Sequence, residues 1–325
     1  MTTPVLSVRD LVVEFPTRRG KLTAVDHISF DIAPGEVLGV VGESGAGKSM
    51  TGTAVIGLLE PPGRIAGGQI LLKGERIDNL PPDQMRRIRG KRIGMVFQDP
   101  LTSLNPLYKV GEQLIETIQT HLPLNAAQAR ARAIDLLAEV GISAPDKRID
   151  NYPHQFSGGM RQRVVLALAL CAEPELVIAD EPTTALDVSV QAQIISLLKK
   201  LCKDHGTAVM LITHDMGVIA ETADRVAVMY AGRIAEIGPV QDVIKRARHP
   251  YTSGLMGSIP TLDGHADRLV QIPGSMPRLT AIPKGCAFNP RCPKVFERCL
   301  VERPDPIAVD NSAVACWLYD KEAVA

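Results

Sequence analysis

The stretch GEVLGVVGESGAGKSMTGTAVIGLL, from Gly35 to Leu59, decides the fold. Its VLGVV segment is an apolar run of the kind that forms a fully buried parallel strand. A glycine-rich turn follows, and the apolar residues of KSMTGTAVIGLL then have helical spacing. A strand, a glycine loop and a helix in this order begin an α/β unit.

The turn itself, GESGAGKS, matches the phosphate-loop pattern G-x-x-x-x-G-K-[ST]. Its glycines allow the backbone N–H groups to converge on an anion, and the following helix adds the positive end of its dipole. We expect Lys48 to reach the β- and γ-phosphates of ATP and Ser49 to bind Mg²⁺. The predicted nucleotide contacts are Gly42, Glu43, Ser44, Gly45, Ala46, Gly47, Lys48, Ser49 and Met50.

A second apolar strand, in ELVIADEP, ends in two acidic residues. Ligands of open α/β sheets bind at the carboxyl edge of the strands, where these acids would lie. Asp180 is suited to hold Mg²⁺ through its hydration shell, and Glu181 to orient and deprotonate a water molecule. A lone acidic pair would more often face solvent, and the phosphate loop favours the catalytic interpretation.

The remaining chain predicts an α/β protein with a loop-rich end. VLSVRDLVVEF and AVMLITHD are predicted strands, residues 65–80 predict short antiparallel strands separated by glycines, and residues 111–137 are mostly helical in pattern. SVQAQIISLLKKLCKDHG predicts a helix that stops at Gly206. Cys171 and Cys202 fall in apolar helical patterns and are predicted to be ordinary core thiols. Residues 256–310, rich in Pro and Gly, predict a small appendage.

Composition argues for a cytoplasmic protein that reaches a membrane only through a partner. The 325 residues include 36 basic and 36 acidic side chains, so net charge gives no argument for nucleic-acid binding. MTTPVLSVRD shows no signal-peptide pattern, and the longest apolar run, VVLALALCA, is too short to span a bilayer.

Four further segments make the pattern specific. FSGGMRQR resembles the signature motif of ABC-type ATPases, VFQDP their Q-loop, TALD their D-loop and LITHD their switch strand. Their order and spacing match that family over about residues 5–240. The resemblance implies a P-loop NTPase fold of the ABC type, with antiparallel β and helical subdomains.

The resemblance also implies roles for residues outside the phosphate loop. Two such domains stack head to tail, and the signature motif of one contacts the γ-phosphate held by the other. Because the chain has one copy of each motif, a dimer is implied, with itself or with a sister ATPase. Phe15 matches the aromatic that stacks on adenine, although an ordinary strand aromatic fits equally well. The implied site residues are Gln98 (Mg²⁺ and water), Ser157, Gly158 and Gly159 (signature), Asp187 (D-loop) and His214 (γ-phosphate).

The C-terminal part narrows the resemblance. RHPYTSGLMGSIP, IPGSMP and GCAFNPRCPKVFERC resemble the extension of ATP-binding subunits of bacterial peptide importers, a subfamily that includes nickel, opine and glutathione importers. We therefore expect an ABC domain over 1–240, with a helical subdomain at about 100–165, and an extension over 241–325.

In that subfamily two ATPase subunits drive two membrane permeases, fed by a periplasmic binding protein. The expected location is the cytoplasmic face of the bacterial inner membrane, and TSLNPLYKVGEQLIE is expected to cradle a permease helix. The resemblance thus implies a subunit that hydrolyses ATP to power import of di- and oligopeptides, or alternatively of nickel, opines or glutathione. The alternative from another functional class is a soluble ABC ATPase without a transport role.

Cys286, Cys292, Cys299 and Cys316 are separated by five, six and sixteen residues. Disulfides are disfavoured because cytosolic thiols are kept reduced. Structural zinc accepts four thiolates, but its ligands usually come in closer pairs. A [4Fe–4S] cluster tolerates wider spacing in a loop-rich segment, and some members of the resembling subfamily carry one. The cluster, zinc and unliganded thiols all stay open.

Overall fold

The computed structural model describes residues 3–18, 20–183, 187–258 and 271–320. Its contacts divide the chain into two compact units. The first unit comprises Met1–Leu6, Ile32–Val37 and Asn79–Leu211. The second unit comprises Ser7–Asp31, Leu38–Asp78 and Ile212–Ala325.

The secondary structure alternates between strands and helices for most of the chain. The strands are β1 (Leu6–Thr17), β2 (Gly20–Ile32), β3 (Val37–Val41), β4 (Arg64–Leu72), β5 (Glu75–Arg76), β6 (Ile93–Val96), β7 (Leu176–Asp180), β8 (Ala208–Ile212), β9 (Arg225–Tyr230), β10 (Arg233–Pro239), β11 (Ile307–Val309) and β12 (Ser312–Val314). The helices are α1 (Lys48–Val55), α2 (Pro82–Ile88), α3 (Pro100–Ser103), α4 (Val110–His121), α5 (Ala126–Glu139), α6 (Pro145–Arg148), α7 (Gly158–Leu170), α8 (Val188–His205), α9 (Met216–Thr222), α10 (Val240–Lys245), α11 (Pro250–Gly257) and α12 (Glu297–Val301).

The first unit is built from parallel strands and long helices. Its strands have the order β8-β7-β6, and β6 pairs in parallel with β7. Every residue of β7 is buried, as its continuous apolar sequence predicts. α4 and α5 form the predicted helical region, and the side chain of Asn125 caps α5 by accepting from the Gln128 N–H. α8 stops where Gly206 adopts a left-handed conformation, which confirms the predicted end.

The second unit carries the strand–loop–helix segment. β3 is wholly buried and pairs in parallel with β9, and α1 follows the glycine turn, as predicted. A separate four-stranded sheet has the order β2-β1-β4-β5, in which β4 and β5 are antiparallel. The two strands confirm the predicted antiparallel strands separated by a glycine, Gly74, although β4 runs through Gly67 and Gly68 without interruption.

The extension has few regular elements between residues 271 and 306, as predicted, but its end forms two short strands. β12 pairs antiparallel with β10 and with β11, so the end of the chain adds two strands at this side of the second unit. The fully buried Glu236 carboxylate of β10 accepts from the backbone N–H groups of Arg248 and His249. Burial lowers the pKa of His249 to about 4, so this ring is neutral at physiological pH. None of the described helices is long and apolar enough to cross a membrane.

The two core thiols of the first unit give a first prediction. Burial raises the pKa values of Cys171 and Cys202 to about 12. At pH 8 only about one thiol in ten thousand is then ionised, and the thiolate is the nucleophile. We expect both to resist iodoacetamide in the folded protein and to react after denaturation, as read by peptide mass spectrometry. Labelling of the native protein at the rate of free cysteine would contradict their burial.

Candidate functional site

The phosphate loop is held in shape by close approach of neighbouring backbone. Gly42 and Gly47 have φ values of 151° and 103°, which side chains disfavour. A Cβ on Gly42 would collide with the Met229 carbonyl oxygen, and one on Gly47 would lie 2.7 Å from the Ala24 carbonyl oxygen. Both positions therefore need glycine, because their φ values are positive and because a side chain would meet neighbouring backbone.

Lys48 binds backbone carbonyl groups at the start of the phosphate loop. Its side chain is buried, and its ammonium group donates to the carbonyl oxygens of Gly42 at 2.8 Å and Glu43 at 3.1 Å. Ser49 follows in the first turn of α1. A buried ammonium group and the N-terminus of a helix supply the positive charge that a polyphosphate requires, so these residues fit ATP. Their contacts with the nucleotide stay a prediction.

The acidic pair of the first unit lies where its strand ends. Asp180 is the last residue of β7 and is buried, and Glu181 follows with a left-handed φ of 45°. Such a conformation costs on the order of 1–3 kcal/mol in a non-glycine residue. The Gln98 amide donates to the Glu181 carboxylate at 3.0 Å. Because β6 and β7 are parallel, both residues follow their strands at the same edge.

The signature segment forms the start of a long helix. Ser157 is the exposed N-cap of α7, and its hydroxyl accepts from the Met160 N–H at 3.3 Å. Gly158 and Gly159 form the first turn. The preceding Phe156 is buried and anchors this end of the helix. The exposed hydroxyl and the backbone N–H groups of the turn are suited to an anion, as the resemblance implies.

Three further predicted residues have clear positions. Asp187 is exposed at the N-terminus of α8, whereas residues 184–186 of the D-loop lie outside the described residues. His214 is exposed just after β8 in the second unit, and the neighbouring Asp215 caps α9. Phe15 is half-buried on β1, and a Cβ on Gly63 would lie 2.7 Å from its ring. Its role in adenine stacking stays a prediction.

Ser49, Gln98 and Asp180 are the predicted ligands of Mg²⁺. Within the described ranges, no group of three or more His, Cys, Asp or Glu side chains is placed to hold a metal ion. Mg²⁺ in nucleotide sites is bound mainly by water and substrate phosphates, with one or two protein ligands. Ser49, Gln98 and Asp180 therefore remain predicted Mg²⁺ ligands.

The four C-terminal cysteines line one cleft, together with His249, Asn289 and Trp317. All are free thiols, in agreement with the argument against disulfides. Burial raises the pKa values of Cys286 and Cys292 and raises that of Cys316 to about 11. Repulsion between neighbouring thiolates adds to each of these increases.

Comparison with known proteins places these elements in a family. A family model described as "ABC transporter" matches residues 25–184, and one described as "Oligopeptide/dipeptide transporter, C-terminal region" matches residues 235–299. Dipeptide transport ATP-binding protein DppD of Bacillus subtilis is 48% identical over 98% of this chain and 96% of its own length. The chain belongs to the ABC transporter family. Oligopeptide transport ATP-binding protein OppD of Escherichia coli is 49% identical to this ABC ATPase over 90% of the chain and 87% of that relative.

Solved structures confirm the fold class of the ABC ATPase. The ATP-binding cassette MJ0796, in a dimeric post-hydrolysis state with ADP and Pi, superposes with a TM-score of 0.65 at 26% identity, covering 72% of this chain and 98% of that one. CbiO1 of Clostridium perfringens, part of the ABC transporter complex cbiONQ, gives 0.65 at 29% identity, covering 75% and 92%. Family membership also confirms the predicted ATPase activity, with ATP and Mg²⁺ as its general requirements.

Sequence reasoning missed the residues of the ABC ATPase that contact the phosphate loop from the extension. Arg291 donates to the Glu43 carboxylate at 2.8 Å, and the Tyr251 hydroxyl accepts from the Glu43 N–H at 3.0 Å. Both partners lie more than 200 residues from Glu43 in the sequence. The signal available was one arginine embedded in the cysteine segment, which local pattern alone does not separate from a solvated charge.

Replacement of the predicted base tests the acidic pair. Glu181→Gln retains the size of the side chain and an oxygen for Gln98, but its amide cannot take a proton from water. We expect kcat for ATP to fall by about 10² to 10⁴-fold while ATP binding is retained. A phosphate-release assay and a binding titration measure the two effects. Turnover within a few-fold of the unmodified protein would rule out Glu181 as the base.

Glu175→Gln is the matched control, because it makes the same change at the other end of β7, where Glu175 pairs with Arg92. It should leave turnover within about twofold, because a partly exposed ion pair contributes only about 0–1 kcal/mol to stability.

Replacement of Lys48 tests the phosphate loop. Lys48→Ala should weaken ATP binding in the same titration, because it removes the buried charge of the loop.

Proposed function

We propose that this chain hydrolyses ATP to power peptide uptake through a membrane transporter. One observation carries the proposal: the chain joins an ABC ATPase to an extension that matches the oligopeptide/dipeptide transporter C-terminal region at residues 235–299. The relatives that combine these parts are named as dipeptide and oligopeptide transport proteins, and they align over nearly the whole chain. An ABC ATPase without a transport role would have no evident use for this extension.

The proposed working form is a hetero-dimer with a sister ATPase. Each motif is present once, so a complete ATP site needs a second signature segment. The exposed Ser157 at the start of α7 is available for such a contact. A homodimer is the alternative for the isolated protein. The proposed complex also contains two permeases and receives solute from a periplasmic binding protein.

An exposed apolar surface supports docking to a permease at the cytoplasmic face of the membrane. Phe97, Leu107 and Tyr108 leave 46%, 81% and 55% of their surfaces exposed. All three follow β6 in the first unit, and Leu107 and Tyr108 lie in the segment that the resemblance assigns to a permease helix, TSLNPLYKVGEQLIE. Phe97 is adjacent to Gln98, which bonds to Glu181. A permease contact here would therefore reach the predicted catalytic base through two residues.

The assembly is tested by purifying the tagged chain from detergent-solubilised membranes of its own host. We expect a sister ATPase and two permeases to co-purify, and candidate di- and oligopeptides with the binding protein to stimulate ATP hydrolysis. Stimulation by nickel, opines or glutathione instead would reassign the solute and retain the role. A complex with two copies of this chain and no sister ATPase would refute the hetero-dimer, and absence of any permease would refute transport.

A matched pair of variants locates the docking surface. Leu107→Glu should release the protein from membranes, because it places a charge on the proposed contact. Val301→Glu changes another exposed apolar residue, 70% exposed on α12, and should not. Equal retention of both variants in the membrane fraction would place the contact elsewhere.

We also propose that the extension binds a [4Fe–4S] cluster through Cys286, Cys292, Cys299 and Cys316. Support comes from four thiols around one cleft, from their wide sequence spacing and from their mutual electrostatic repulsion. Cys₄ ligation from a loop-rich segment is the usual way in which proteins hold such a cluster. The chain around them contains short elements only, such as α12, so its role would be to stabilise a segment with little core of its own.

The cluster is tested by anaerobic purification. We expect brown protein with about four irons per chain, and loss of both iron and thermal stability when the four cysteines are replaced by serine. Cys171→Ala and Cys202→Ala serve as controls and should retain the iron. Zinc in place of iron, or colourless protein whose melting temperature is unchanged by the four replacements, would refute the cluster.

A further inference from the structure

The extension contacts the phosphate loop through an ion pair within the second unit. Arg291 ends a 3₁₀ turn, Asn289–Arg291, directly before Cys292. Its Nη1 donates to the Glu43 carboxylate at 2.8 Å. The arginine side chain is only 7% exposed and that of Glu43 29%, so the pair is largely shielded from water. Charge-assisted hydrogen bonds of this kind are stronger than pairs on an open surface.

Arg291 is held in place by the extension. Its Nε donates to the Pro273 carbonyl oxygen at 2.8 Å, and its Nη1 also reaches the Tyr230 hydroxyl at 3.3 Å. The guanidinium lies over the rings of Tyr230 and Phe288, at 5.8 Å and 5.9 Å from their centres. Because its rotamer is already restricted, little side-chain entropy is lost in binding Glu43.

Glu43 is bound at each of its polar groups. Its carboxylate accepts from Arg291, its N–H donates to the hydroxyl of the buried Tyr251, and its carbonyl oxygen accepts from the Lys48 ammonium at 3.1 Å. A Cβ on Gly45 would lie 3.1 Å from the Met276 methyl carbon, so a second segment of the extension also packs on the loop. Displacement of Glu43 would therefore disturb the position of Lys48.

We propose that Arg291 is a positioning residue for ATP, acting through Glu43 on the phosphate loop and Lys48. Two physical effects support this role. Holding the loop in its folded form before the nucleotide arrives lowers the entropic cost of binding. Arg291 also neutralises the Glu43 carboxylate, whose charge would otherwise repel the phosphates of ATP. This role concerns ATP binding and does not depend on the transported solute.

The test measures ATP affinity by calorimetric titration of the full chain with Mg²⁺ and a non-hydrolysable ATP analogue. Arg291→Ala should raise Kd about tenfold, within the range of ordinary coupling between sites. Its melting temperature without nucleotide should change by only a few degrees. Arg278→Ala, which removes an exposed arginine of the same extension, is the matched control and should leave Kd unchanged. A Kd for Arg291→Ala within twofold of the unmodified protein would overturn the proposal.

A double mutant distinguishes positioning from simple loss of structure. If Arg291 acts through Glu43, the double variant Glu43→Ala/Arg291→Ala should bind ATP more tightly than Arg291→Ala, because the unpaired carboxylate is gone. Effects of the two single variants that multiply in the double variant would refute action through Glu43. Arg291→Lys keeps the charge but loses the fork and the stacking, and should raise Kd two- to threefold. It serves as the test if Arg291→Ala does not fold, and an unchanged Kd in it would then overturn the proposal.

Discussion

The nucleotide site depends on the shape of the turn between β3 and α1. A phosphate loop must place several N–H groups on one side without side chains in the way. Here the Met229 carbonyl oxygen lies where a side chain of Gly42 would be, and the Ala24 carbonyl oxygen lies close to the Cβ position of Gly47. The buried ammonium of Lys48 then binds the carbonyl groups at the start of the loop. Backbone carbonyl groups of Met229 and Ala24 thus constrain the shape of the loop, whatever side chains these two residues carry.

In the first unit, the packing of β7 fixes the position of the Glu181 carboxylate. β7 is buried along its whole length, so its end is fixed by packing. The left-handed Glu181 then turns the chain sharply, and the Gln98 amide binds its side chain. Parallel pairing of β6 and β7 places both residues at one edge. The orientation of the carboxylate therefore depends on sheet register as well as on the residue itself.

The sequence predicted those elements that depend on residues close together in the chain. The strand–loop–helix segment, the buried β7 and the stop of α8 at Gly206 follow from apolar runs and glycine signals over a few residues each. The sequence did not predict that β4 continues through Gly67 and Gly68. Gly68 adopts a φ of 82°, and a side chain there would collide with the Asp10 carbonyl oxygen of β1. The contact of Arg291 with Glu43 joins residues 248 positions apart, and no short pattern records such a pairing.

The two side chains that bind the Glu43 carboxylate and N–H come late in the chain. Tyr251 and Arg291 follow Glu43 by 208 and 248 residues. At ordinary rates of protein synthesis, about 5–20 residues per second, Glu43 is made roughly 10 to 40 s before Tyr251. During this interval a nascent chain has its phosphate loop and Lys48 but lacks the side chains of Tyr251 and Arg291. The order of synthesis thus makes the loop one of the last parts of the second unit to acquire its final contacts.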